Sequence, residues 1–140
     1  MRRYLLDTNI LIALTKKRTG LAERLAIVPA KRVLLSAVVL AEIEYGIAKS
    51  TRREHNRTIF ERLLQGFQIL PFNETAAGHY GPIRAALEQR GELIGPYDLM
   101  IAAQARAGNA VLVTDNVDEF QRVEGLIVEN WLGGSDIADT

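Results

Sequence analysis

Asp7, Glu42, Asp98 and an acid from the stretch 115–119 are the side chains whose type and setting suit catalysis. Asp7-Thr8-Asn9 follows the apolar run of RYLLDTNILIAL, and Thr114-Asp115-Asn116 follows that of AVLVTDNVDEF. Two acid-and-amide clusters at two strand ends are parts of one site if those ends lie side by side. Like charges about 4 Å apart repel by about 4 kcal/mol at an effective dielectric near 20. A cluster of carboxylates therefore either takes up protons or binds a cation. With only oxygen donors, the fitting ion is Mg²⁺, with Mn²⁺ as a substitute, and not zinc. Such an ion activates water and stabilises an oxygen displaced from phosphorus.

Each acid also has a purely structural explanation. Asp7 before a helix is a good N-cap, worth about 1 kcal/mol, and Thr8 and Asn9 suit a turn. Glu42 sits on a largely apolar face of SAVVLAEIEYGIA, with Glu44 as a competitor that periodicity rejects only weakly. Asp98 opens a helix that is apolar all round, where the helix dipole favours an acid by about 0.3–1 kcal/mol. His55 and His79 are expected to be surface or packing residues. No Ser-His-acid spacing and no Gly-rich phosphate loop occurs.

The elements that must position these groups alternate between strand and helix. Strands are expected at 4–6, 33–36, 68–72, 110–113 and 126–128. Helices are expected from 10, and over 21–28, 37–49, 54–64, 74–90 and 99–107, with a short turn at 118–122. The alternation predicts an α/β/α sandwich around a central, mainly parallel sheet of four to five short strands. In such sheets ligands gather at the carboxyl edge of the strands, where Asp7 and Asp115 fall.

At 140 residues and 48% hydrophobic, the chain fits one domain, expected over 1–132, with 133–140 as a flexible tail. It has no cysteine, which excludes disulfides and thiolate chemistry. No apolar run approaches the roughly 20 residues needed to span a bilayer, and the N-terminus lacks a signal-peptide pattern, so a cytoplasmic location without membrane contact is expected. Zero net charge hides a split. Residues 1–70 hold 13 Lys/Arg against 6 Asp/Glu, and residues 71–140 hold 4 against 11. Any one of the basic clusters at 16–18, 31–32 and 49–62 is first explained as a solvated helix surface, and a split on this scale keeps an anionic partner in play.

With those residues in hand, the chain resembles the PIN-domain ribonucleases, and among them the VapC toxins of type II toxin–antitoxin pairs. The matching segments are LDTNI, SAVVLAEIEYG, IRAALEQRGELIGPYDLMIAAQAR and LVTDNVDEFQRVEGL, closing on Glu129-Asn130-Trp131. The resemblance implies metal-binding acids at Asp7, Glu42 and Asp98, which selects Glu42 over Glu44. The last segment of such sites reads Thr, any residue, Asn or Asp, then an acid before Phe; here these are Thr114, Asn116 and Glu119, with Asp115 in the variable slot. Asp115 or Glu119 then supplies the remaining charge, and Thr8, Asn9, Ser36, Thr114 and Asn116 support the site. A Mg²⁺-dependent endoribonuclease follows, acting on RNA (transfer RNA in the first place) as a homodimer. It would be neutralised by a cognate antitoxin whose basic arm covers the acids. Arg18, Lys49, Arg52 and Arg53 become candidates for holding RNA. The alternative is a catalytically inactive PIN-like module that binds RNA or protein. A phosphotransfer domain is disfavoured because no lysine follows Lys49.

Overall fold

Five short apolar runs pair side by side in the computed structural model, which describes residues 2–17 and 20–132. They are β1 (Tyr4–Leu6), β2 (Val33–Ser36), β3 (Gln68–Leu70), β4 (Val111–Val113) and β5 (Ile127–Glu129). All pairings are parallel, in the order β3-β2-β1-β4-β5. Consecutive strand residues point to opposite faces. Leu5 and Leu6, Leu34 and Leu35, and Leu112 and Val113 are nonetheless all buried, so helices cover both faces of the sheet. The α/β/α sandwich expected from the alternation is the one observed. β3 ends at Leu70, two residues short of expectation, because Pro71 has no N–H to continue the ladder.

Between the strands run α1 (Thr8–Thr15), α2 (Leu21–Ala26), α3 (Ala37–Lys49), α4 (Arg53–Leu64), α5 (Glu74–Gln89), α6 (Pro96–Ala107) and α7 (Val117–Phe120). α3 buries the stripe Val39, Ile43 and Ile47, and the Ser36 hydroxyl caps it by accepting from the amides of Val38 and Val39. α6 begins at Pro96, three residues earlier than the apolar run suggests, because proline at the first helical position leaves no donor unpaired. It buries Leu99 and every residue from Ile101 to Ala105, so it packs as a core helix. Truncating Leu99 to Ala would cost about 2–5 kcal/mol on that account. Among the described residues, no helix is long and apolar enough to cross a membrane. The expected tail, 133–140, lies outside the described residues.

Candidate active site

The site is built on strand register. Leu6 stands opposite Leu35 on one side and Val113 on the other, so Ser36, Asp7 and Thr114 line up one step further, at the carboxyl edge. β1 is also where the sheet order reverses direction: the chain steps from β1 outward to β2 and β3, then returns to place β4 and β5 on the other side. Such a switch point leaves a crevice between the two strand ends. Asp7 and Thr114 flank it.

Asp7 is nearly buried, at 5% exposure. It caps α1, taking a 2.8 Å hydrogen bond from the Thr8 amide on one oxygen, while the Thr114 hydroxyl donates to the other at 2.8 Å. Burial pushes its carboxyl above the usual range. The bonds from Thr114 and Thr8 oppose that rise, and the Asp115 charge adds to it. The Thr114 hydroxyl is held in turn by the Asn116 amide, at 3.0 Å.

Glu42 reaches the same place from α3. The Thr8 hydroxyl donates to it at 3.1 Å. Burial raises its carboxyl, the Thr8 bond opposes the rise, and the charge of Asp7 adds to it. Glu44 instead is exposed and paired with Arg57 of α4 through two hydrogen bonds. Asp98 faces the cluster from the first turn of α6. Its carboxyl is pushed up to about 6, first by burial and then by the charges of Asp7, Glu119 and Glu42. Those three charges reach Asp98 from α7, α3 and the end of β1, so four acids from four segments share one electrostatic neighbourhood.

The two acids left unranked by the sequence act on different members of the cluster, Glu119 on Asp98 and Asp115 on Asp7. The Glu119 charge is felt at Asp98, whereas Asp115 is exposed and accepts from the Asn9 amide across the crevice at 3.1 Å. Ser36 stands in the row of strand ends, but its hydroxyl is spent inside the core, capping α3 and donating to Gln104. Gln104, which the sequence reading passed over, also donates to the Leu70 carbonyl at 3.0 Å, tying α6 to the β2–β3 end of the sheet. Its signal was available: one amide in the apolar run LMIAAQA must find partners when buried. Lys49, Arg52 and Arg53 are exposed where α3 passes into α4, and Arg18 lies outside the described residues.

The donors fit a hard, hydrated cation. The converging groups are all carboxylates, and neither histidine joins them; His79 accepts from Arg106. Among the described residues no three such groups close into a ready-made metal cage.

A PIN domain family model matches residues 4–126. A protein named ribonuclease VapC2, from Rickettsia felis, is 40% identical over 130 residues, covering 91% of this chain and 97% of its own. A tRNA(fMet)-specific endonuclease VapC from Shigella flexneri is 39% identical over 132 residues, covering 94% and 99%. Among solved structures, DNA-bound VapBC from Salmonella typhimurium superposes with a TM-score of 0.88 at 37% identity, covering 94% of this chain and 99% of that one.

Proposed function

The chain belongs to the PIN domain family, within its VapC group, and from that premise we propose that it is a metal-dependent endoribonuclease, the toxin of a toxin–antitoxin pair. The observation that carries the activity is geometric: Asp7 and Thr114 stand at adjacent strand ends at the sheet's switch point, and Thr8 ties Asp7 to Glu42, with Asp98 in the same electrostatic neighbourhood. Buried carboxylates crowded in this way bind protons more readily or are relieved by a cation. The substrate is RNA, with transfer RNA as the first to test because the Shigella flexneri relative carries that specificity in its name. The solved relative is a VapBC assembly, which supports a cognate antitoxin for this chain.

Asp7 and Asp98 would hold Mg²⁺, with Glu42 and Glu119 completing its surroundings through water. The ion supplies neutralisation of the cluster, a more acidic water and stabilisation of the displaced oxygen. The protein's own groups do the rest. Thr8 and Thr114 fix both oxygens of Asp7, so this carboxylate cannot swing away. Glu42, with its raised affinity for a proton, suits orienting an attacking water and accepting its proton, and Thr8 holds its carboxylate in place. Asn9 and Asp115 bridge the crevice and hold the two loops in register. The reaction is an in-line hydrolysis of a phosphodiester.

Cleavage of a panel of purified RNAs, with and without Mg²⁺, tests this proposal. Asp7→Asn and Asp98→Asn should each keep the fold and abolish cutting; full activity in either would refute the site. The rival, a module that binds RNA or protein without cutting, predicts RNA binding that is indifferent to Mg²⁺ and no cleavage at all.

A further inference from the structure

The nine aromatic side chains of this protein are unevenly exposed. Seven are buried or half-buried, whereas Tyr45 is 65% exposed and Tyr97 57% exposed. These two come from different helices, α3 and α6, and both line one cavity of about 460 Å³. Its wall also includes Thr8 and Glu42 of the acid cluster, so the cavity opens directly beside the site. Tyr97 is the chain neighbour of Asp98, and Tyr45 lies three residues, about one helical turn, after Glu42. Gly46 leaves the wall between them bare: a Cβ added there would meet nothing within 4 Å. At the far side the Lys49 ammonium sits 4.9 Å from the centre of the Tyr45 ring.

We infer that Tyr45 and Tyr97 form a base-stacking platform for a nucleotide next to the scissile phosphate of single-stranded RNA, with Lys49 neutralising the adjoining backbone. The inference rests on the ribonuclease reading of the acid cluster. Singly exposed rings are ordinary, but two that line one cavity form a patch of the kind that marks a contact site. The volume lies within the roughly 300–1,000 Å³ of small-ligand sites. Charge selects the occupant. A cation over an aromatic face, followed in the chain by exposed Arg52 and Arg53, suits an anionic backbone carrying planar bases. Stacking is tolerant of sequence, so the platform sets where the strand lies and leaves the choice of cleavage sequence to other contacts.

The test uses full-length protein carrying Asp98→Asn to prevent cutting, in Mg²⁺, and two fluorescent 12-nucleotide probes. One is a mixed-sequence RNA, the other the same backbone with abasic positions. The platform predicts that the base-bearing probe binds at least tenfold more tightly. Tyr45→Ala with Tyr97→Ala should erase that ratio, and the two Phe replacements should restore it, since stacking needs the ring and not the hydroxyl. Otherwise wild-type protein carrying the Ala pair should lose cleavage mainly through a higher KM. Equal binding of both probes, or an Ala pair that keeps the ratio, overturns the inference while leaving the ribonuclease reading intact. An Ala pair that keeps RNA binding but no longer assembles with the antitoxin also overturns it, marking the surface as a protein seat. A wild-type chain that neither binds nor cuts RNA removes the activity and the platform together.

Discussion

Asp98→Asn should make the metal-free protein more stable while abolishing cleavage. The Asp98 carboxyl rises from 3.8 to about 6 on folding, chiefly through burial and then through Asp7, Glu119 and Glu42. A raised acid binds its proton more tightly in the native state. Below pH 3.8 both states are protonated and there is no penalty. Between 3.8 and about 6 the unfolded chain loses its proton first, so stability falls as pH rises, and above 6 the penalty is constant. At 1.36 kcal/mol per pH unit that rise amounts to about 3 kcal/mol. Asp98 is only half-buried, and solvent screening lowers the figure to about 1–2 kcal/mol. The amide gives up an attraction to the helix N-terminus of about 0.3–1 kcal/mol. The net gain expected for the variant in EDTA at pH 7.5 is therefore about 1 kcal/mol, or a Tm higher by about 2–4 °C. Urea denaturation at pH 7.5 and pH 4 measures it: the gap should be present at the first and vanish or reverse at the second. Mg²⁺ should then stabilise the parent and not the variant, since only a native state that binds the ion gains from it. A variant no more stable than the parent in EDTA at pH 7.5, or a gap independent of pH, would refute the account of a charge raised by burial and by its neighbours.

Thr114→Val removes the hydroxyl that donates to Asp7 and accepts from Asn116. It should destabilise the fold by about 1–3 kcal/mol and shift the acid limb of the cleavage profile to higher pH, because the Thr114 bond lowers the Asp7 carboxyl; an unshifted limb would separate Asp7 from that limb. Glu42→Gln should lose most cleavage, whereas Glu44→Gln, which breaks only an exposed pair with Arg57, should leave cleavage and Tm unchanged. Equal losses in both would argue that α3 acts only as a scaffold. Reversing Arg52 and Arg53 to Glu should weaken RNA binding and flatten its dependence on salt, measured by titration between 50 and about 200 mM; an unchanged slope would clear both arginines of phosphate contact.

Local order alone made much of the protein legible. Short apolar runs alternating with helical spacing carry the parallel sheet, because the inner strands β1, β2 and β4 are buried on both faces and each crossover must span the sheet. The first-turn position of Asp98 was legible too, although Pro96 extends its helix backward. Other features depended on groups far apart in the chain. Glu42 and Glu44 look alike on α3; Thr8, 34 residues away, takes one, and Arg57, 13 residues on, takes the other. Asp115 and Glu119 lie in a segment too short for periodicity to orient, and only the folded chain brings the Glu119 charge to bear on Asp98. Tyr45 and Tyr97, separated by more than a third of the chain, meet in one cavity only after α3 and α6 dock. Backbone preference and burial act within a few residues and so leave their mark on sequence. The strand order β3-β2-β1-β4-β5, and the crowding of charge that it creates, are settled by which distant surfaces pack together.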